Sequence, residues 1–375
     1  MRCSAKLLTE IEALCQLAYY CGRMLVADQD MTNTVLRFGN RKTAGRIGYS
    51  TSKGEEIVEQ IRIARSFIDA DALADVVADN YNIGNSITCS MFSKLLRTQD
   101  NDHYRVTVGD QKYVLRVYEQ GDAVGRQESD YLFEMDWLLF LKEQGLSVSS
   151  PIPRKDGSLL GSVNAPEGKR YYALFTFAKG RSMSLKDQDQ LYEFGASMAR
   201  IHKISGQFSS PHQRQPIDMA CLLDKPLQRI ERSWGPQRTA NLDILLVSAE
   251  EARNEVYSLL GEKPDPGSDI WGMVGGDFSN LSVHFDNGQP TFFNFDRCGA
   301  SWRAYDIAAF LSNTNLLQAS EGFSEAFFAG YYSVRPLSRE EHAAVSPFLT
   351  LRRIWRMGLF ALESGLAGYT FMATA

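Results

Sequence analysis

Residue types suited to phosphate chemistry are concentrated in residues 272–310, which read GMVGGDFSNLSVHFDNGQPTFFNFDRCGASWRAYDIAAF. Asp277 lies in a tight Gly-Gly-Asp turn ahead of a short strand pattern, and Asp-Asn-Gly at 286–288 predicts a hairpin turn after that strand. The partner strand ends at Asn294 and Asp296, so these polar side chains are expected to converge with Asp277. This layout is typical of phosphoryl transfer, in which one carboxylate positions a hydroxyl nucleophile and further oxygen ligands hold magnesium on the phosphates.

The elements that must position this stretch change in character along the chain. β-type runs and one strong amphipathic helix come first, and helices dominate after Gly180. Strands are predicted at 87–96, 104–108, 112–118, 158–163, 170–177 and on both sides of the turn at 286–288. Helices are predicted at 127–144, 186–204, 219–233, 240–260, 304–311, 321–332 and 339–368. The pattern predicts an α+β protein.

The first 70 residues form a separate, mainly helical pattern. Apolar residues recur at helical spacing over 4–27 and again over 54–68, and a further helix is predicted at 69–80. The basic run at 37–46 between the first two helices is read as a solvated loop in preference to a phosphate or membrane contact.

Several motifs, in this order and spacing, resemble the aminoglycoside phosphotransferases and their relatives, the choline and homoserine kinases. That family carries His-Gly-Asp-x-x-x-x-Asn, a short hairpin and then Asp-Phe-Asp or a similar triplet, which corresponds here to 275–282 and 294–296. Further matching segments are NDHYRV at 101–106, YVLRVY at 113–118, ALFTFAKG at 173–180 and WRAYDIA at 302–308. The resemblance covers roughly residues 71–365. It implies a bilobal protein-kinase-like fold, with an N-lobe at 71–178, a helical C-lobe at 179–375 and an N-terminal helical extension at 1–70.

The resemblance also assigns roles to single residues. Asp277 matches the catalytic Asp that accepts a hydrogen bond from the substrate hydroxyl. Arg116 stands at the place of the phosphate-binding Lys, and Glu134 at the place of its ion-pair partner. Arginine keeps the charge and adds a bidentate fork, so this pairing remains feasible. Asp306 matches the Asp that braces the catalytic loop.

The nucleotide site implied by the resemblance has further members. Asn101 lies in the nucleotide-clamping hairpin, and Phe175 and Phe177 lie at the hinge between the lobes, as adenine-pocket or core aromatics. ATP and Mg²⁺ are the implied cofactors.

The sequence departs from the family where metal and phosphate are bound. Gly275 replaces the His of His-Gly-Asp, and the clamping turn at 97–100 contains no glycine. Ser282 and Asn294 replace the metal-binding Asn and Asp, which removes one full negative charge from the magnesium site. A hydroxyl and an amide can still ligate magnesium, and Asp296 is a candidate substitute ligand.

Simpler readings stand beside these roles. Asp277 could be only a turn former, Glu134 a solvated carboxylate on an acidic helix, and Asn294 a capping amide without metal. His202 is read as a packed helix residue in preference to a proton carrier.

Two functions therefore remain open. The first is ATP-dependent phosphorylation of a hydroxyl on a small molecule or peptide, with atypical or reduced metal binding. The second is a catalytically inactive pseudokinase that acts as a binding or regulatory protein. The extension at 1–70 is a candidate contact for a homodimer or a partner protein.

Composition limits the other classes of function. A net charge of -5 gives no reason to expect a nucleic-acid-binding surface. No apolar run approaches the roughly 18 residues of a membrane span. The six cysteines form no C-x-x-C pair, and the N-terminus does not read as a signal peptide, so a cytoplasmic protein is predicted.

Overall fold

The first part of the described chain is built on five antiparallel strands: β1 (Thr88–Met91), β2 (Asp102–Val108), β3 (Gln111–Val117), β4 (Gly161–Ala165) and β5 (Gly168–Thr176). They form one sheet in the order β1-β2-β3-β5-β4. The structure is a computed structural model, which describes Ile63 and residues 65–91, 101–119, 125–234, 240–262, 264–265, 267–314 and 321–367.

Two helices accompany this sheet. Helix α1 (Ala70–Asn80) begins after Asp69, whose carboxylate accepts the N–H groups of Asp71 and Ala72. Helix α2 (Glu128–Glu143) begins with a capping box between Gln127 and Asp130. The sheet and α1 share one apolar core, which contains Leu73, Val77, Tyr104, Val106, Leu115, Val117, Tyr172 and Leu174.

The second part is mostly helical. Its helices are α3 (Gln188–Ile204), α4 (Lys225–Trp234), α5 (Ala240–Leu260), α6 (Arg303–Asn313), α7 (Phe323–Tyr332) and α8 (Arg339–Ala367). Aromatic rings fill the space between α3, α6 and α7, since Phe194 lies 4.4 Å from Phe310 and Phe310 lies 4.9 Å from Phe327, centroid to centroid.

The predicted catalytic stretch lies on short strands that accompany these helices. Strands β6 (Arg181–Ser182), β8 (Val283–Asp286) and β9 (Gln289–Phe292) form a three-stranded sheet, and β7 (Trp271–Val274) pairs with β10 (Gly299–Trp302). The β8–β9 turn has positive φ at Asn287 and Gly288, as the Asp-Asn-Gly sequence predicts. The β7–β10 pair was not predicted.

Two predicted elements differ from the structure. The helix predicted over 54–68 does not include 65–68, which are non-helical, while 54–62 lie outside the described residues. Side chains hold this segment against the sheet: Arg65 pairs with Asp102, and Ser66 donates to Glu167. The strand predicted at 158–163 begins later, at Gly161, because residues 155–157 form a turn.

The α+β fold class is confirmed, with a sheet-rich first lobe followed by a helical region. The predicted helix at 4–27 lies outside the described residues, as do most of the extension and the clamping turn at 97–100. Within the described residues, no helix combines the length and the apolar character that a membrane span requires.

Candidate active site

The turn that carries Asp277 is fixed from behind by Asp306. This buried carboxylate, in the first turn of α6, accepts the backbone N–H of Gly275 at 3.0 Å and of Gly276 at 2.8 Å. It also lies 3.1 Å from Nε2 of His202. Hydrogen bonds to a carboxylate are among the stronger ones in proteins, so these contacts are those of the brace that the sequence predicts for Asp306.

The glycines of this turn leave no room for side chains. A Cβ on Gly276, whose φ is +78°, would lie 2.2 Å from the carbonyl oxygen of Arg297. A Cβ on Gly275 would lie 2.3 Å from the ring of Phe278. The ring of Phe278 therefore occupies the space that a side chain at 275, such as the family's His, would need.

His202 is a packed residue, as predicted. It is fully buried, and burial lowers its pKa although Asp306 opposes this effect. A neutral imidazole donates from Nε2 to Asp306 and accepts at Nδ1 from the hydroxyl of Tyr331, 2.8 Å away. That hydroxyl in turn accepts from Arg335 at 3.2 Å. The brace is thus held in orientation by α3 and α7.

Asp277 is partly exposed and has one carboxylate oxygen firmly held. Oδ1 accepts from the guanidinium of Arg352 and from Nδ2 of Asn313 at 2.8 Å. Oδ2 lies 3.4 Å from Nε of Arg297, and the side chain is 25% exposed. Burial opposes the charge of Arg352, but Asp277 and Tyr305 raise its pKa. An oriented, partly exposed carboxylate is what a general base requires.

The sequence did not predict Arg352 or Asn313. Arg352 is buried in α8, stacks over Trp355 at 4.2 Å, and donates to the hydroxyl of Tyr305 at 2.9 Å. Asn313 is the last residue of α6 and also donates to the backbone carbonyl of Phe278. The run Leu-Arg-Arg-Ile-Trp at 351–355 carries two arginines, but no local pattern indicates which of them points inward.

The two residues predicted to bind phosphate, Arg116 and Glu134, form an ion pair in the first lobe. Arg116 on β3 pairs with Glu134 on α2 at 2.6 Å, and Glu134 also accepts from the hydroxyl of Tyr118 at 3.2 Å. Nε of Arg116 donates to His103 at 3.3 Å, and the guanidinium lies 4.9 Å from the ring of Phe175. Glu134 is fully buried, so the simpler reading of a solvated carboxylate is wrong.

Asn101 joins the segment after β3 to the residues that follow the β8–β9 hairpin. Its Nδ2 donates to the carboxylate of Asp296 at 3.2 Å, and its Oδ1 accepts the N–H of Glu119. Arg126 also lies at Asp296, 3.8 Å from Oδ2. Phe175 is buried under Arg116, whereas Phe177, just beyond β5, is half-buried.

Two of the three predicted magnesium ligands, Ser282 and Asp296, already have polar partners within the protein. The hydroxyl of Ser282 donates to the carbonyl of Ser279 at 2.8 Å and accepts its N–H at 2.8 Å. Asn294 has a φ of +68°, a conformation that Asn adopts more readily than most residues, and carries no charge. Asp296 is charged but already pairs with Asn101 and Arg126. Within the described part of the chain, no three His, Cys, Asp or Glu side chains are grouped to hold a metal ion.

Comparisons with known proteins identify the family of this chain. Residues 92–345 match the family described as the phosphotransferase enzyme family. An uncharacterized protein of Deinococcus radiodurans is 32% identical over 304 residues, which are 79% of this chain and 83% of that protein. The amicoumacin kinase of Bacillus subtilis is 25% identical over 279 residues, or 71% of this chain and 79% of that kinase.

A solved structure has the same fold. The amicoumacin kinase hAmiN, in complex with AMP-PNP, Ca²⁺ and Ami, has a TM-score of 0.64 at 20% identity, over 81% of this chain and 92% of that one. The fold and the family match together define a phosphotransferase of the small-molecule kinase type. The chain belongs to the phosphotransferase enzyme family, in agreement with the resemblance to aminoglycoside phosphotransferases and homoserine kinases.

Proposed function

We propose that the protein transfers the γ-phosphoryl group of ATP to a hydroxyl of a small molecule, with Asp277 as the general base. This proposal rests on the fixed orientation of the Asp277 carboxylate. Arg352 and Asn313 donate to Oδ1, and a quarter of the side chain remains exposed. A residue that served only to form a turn would not need a buried arginine 75 positions away to orient its carboxylate.

The proposed step uses this chain's own residues. A substrate hydroxyl donates its hydrogen bond to Asp277, and its oxygen bonds to the γ-phosphorus while the proton passes to the carboxylate. The bond from the γ-phosphorus to the bridging oxygen breaks, which gives a phosphate ester and ADP. Arg116, oriented by Glu134, supplies positive charge to the phosphates in this proposal. The amicoumacin kinases that the chain resembles support a small-molecule acceptor.

Release of ADP tests the proposal. The purified protein is incubated with ATP and a panel of hydroxyl compounds that includes amino alcohols, hydroxyl amino acids and aminoglycosides, both with Mg²⁺ and with EDTA. We expect Asp277→Asn to lower kcat by about 10²- to 10⁴-fold on the accepted compound. Asp286→Asn, which removes an exposed acid from the hairpin turn, is the matched control and should leave kcat unchanged. A lack of ADP release with every compound, or turnover that survives Asp277→Asn, would overturn the proposal.

A pseudokinase that binds nucleotide without transferring it is the second candidate. The neutral Asn294 and the internally bonded Ser282 favour it, because both stand where the resemblance implies magnesium ligands. This candidate predicts that ATP stabilises the protein while no hydroxyl compound yields ADP. A cytoplasmic location, and dimer or partner contacts through residues 1–70, stay predictions.

A further inference from the structure

We propose that Arg126 and Arg297 bind the phosphates of the nucleotide directly, at the end of the hairpin where the family's metal ligands would stand. Nucleotide binding then does not require a divalent cation. This inference rests on the proposed function, because both proposals place ATP at the same site beside Asp277.

Three arginines around the cleft already have close partners. Arg116 pairs with Glu134 at 2.6 Å. Arg214 donates to the backbone carbonyls of Asp130, at 2.9 Å, and of Asp296. Arg352 is buried between Asp277 and Tyr305. These contacts have the length of strong hydrogen bonds, so these guanidinium groups are fixed in place by the protein and are less free to turn towards a ligand.

Arg126 and Arg297 are held more loosely. Arg126 lies 3.8 Å from Asp296, and Arg297 lies 3.4 Å from Asp277. Charge-assisted hydrogen bonds between N–H and carboxylate are about 2.7–2.9 Å long, so neither of these ion pairs is a tight hydrogen bond. The side chains are 16% and 20% exposed. If the two guanidinium groups turn towards a phosphate, Asp296 keeps its hydrogen bond from Asn101. Asp277 keeps those from Arg352 and Asn313.

The two arginines bracket the site where phosphates are expected. Arg126 precedes α2 and contacts the carboxylate of Asp296, and Arg297 follows Asp296 in sequence and contacts Asp277. Arg297 also stacks over Trp355 at 5.0 Å. An aromatic face fixes the plane of a guanidinium, which favours the bidentate geometry that phosphate accepts.

The charged groups around Asp296 favour the binding of an anion over the binding of a divalent cation. Burial acts to raise the pKa of Asp296, yet Arg126, Arg116, Arg297 and Arg214 together lower it. A dication that enters beside these guanidinium groups meets repulsion, whereas a polyphosphate meets attraction. Asn294 thus lacks the carboxylate of a metal ligand, and several guanidinium groups act on the neighbouring Asp296.

Calorimetric titration of the whole chain in EDTA tests the inference, with ATP and inorganic tripolyphosphate as ligands. We expect binding of both without divalent cation, weakened about tenfold by Arg126→Gln or Arg297→Gln, which corresponds to about 1.4 kcal/mol. Arg200→Gln removes the same charge from the surface of α3, where the Arg200 side chain is 48% exposed, and should leave the dissociation constant unchanged. Thermal unfolding without ligand verifies that each variant is folded, and Arg297→Lys should keep only part of the affinity.

The outcomes separate this inference from the proposed function. ATP binding that occurs only with Mg²⁺, or metal-free binding unaffected by both glutamine variants, overturns the inference and leaves phosphoryl transfer standing. Metal-free binding that depends on Arg126 and Arg297 but is accompanied by no ADP release supports the inference and refutes the transfer. Binding of neither ligand under any condition refutes both.

Discussion

We expect Glu134→Gln to destabilise the first lobe strongly, because it leaves the guanidinium of Arg116 buried without its counter-charge. Glu134 is fully buried, the side chain of Arg116 is 6% exposed, and their closest atoms are 2.6 Å apart. Burial opposes the charge of Arg116, but Glu134, with smaller effects from other neighbours, raises its pKa. A guanidinium group is not deprotonated in proteins, so Arg116 stays charged when the acid is removed.

The magnitude follows from this geometry. Removing one partner of a buried ion pair costs about 3–5 kcal/mol. Gln keeps the volume of Glu and one acceptor for Arg116, so we expect a loss near the lower limit, about 3 kcal/mol of unfolding free energy. The double variant Arg116→Met/Glu134→Leu removes both charges and should be more stable than Glu134→Gln alone. Glu193→Gln is the exposed control: its pair with Arg200 is 3.5 Å long and should cost less than about 1 kcal/mol.

Urea unfolding followed by tryptophan fluorescence measures these differences, since Trp137 is buried in the same helix as Glu134. A loss below about 1 kcal/mol for Glu134→Gln would show that the pair is not buried as described. A double variant less stable than the single one would contradict the charge argument, because packing would then explain the loss.

Two further predictions concern the catalytic turn and the response to pH. Gly275→His restores the family residue and should destabilise the protein by about 1–3 kcal/mol, because its Cβ would overlap the ring of Phe278. Thermal unfolding measures this loss, and a variant of equal or higher stability would refute the described packing. Burial and the charge of Arg116 lower the pKa of His103 to about 4 in the folded protein, from 6.5 for a free imidazole. The unfolded chain thus binds the proton first, and the free energy of unfolding should fall between pH 6.5 and 4, by up to about 1.4 kcal/mol per pH unit for this group. His202, whose pKa burial also lowers, acts in the same direction, so His103→Gln should reduce the slope measured by urea unfolding without abolishing it; an unchanged slope would exclude His103 as a contributor.

Local patterns predicted most of the described fold. The helix predicted at 240–260 has these bounds in the structure, since its apolar spacing is regular over its whole length. The pair β7–β10 was missed because each strand has four residues and the partners lie 25 or more positions apart. No turn sequence joins them, so no local signal indicates their pairing.

The candidate site also combines residues that a local motif predicts with residues that only the folded packing brings together. Asp277 and Asp306 could be proposed as site residues because the family's motif is local in sequence. Arg352 and Asn313 reach Asp277 from 75 and 36 positions away, and only the packing of α6 and α8 decides which side chains turn inward. The pairing of Asp296 with Asn101 spans 195 positions and depends on how the two lobes meet.

The close fit between Gly275 and Phe278 also restricts how this sequence can diverge. A side chain at 275 meets the ring of Phe278, whereas a smaller residue at 278 meets no such obstacle, although it leaves an unfilled space. The effects of substitutions at 275 and 278 are therefore not additive. A histidine at 275 should cost less stability in a protein that already carries a smaller residue at 278 than in the present sequence.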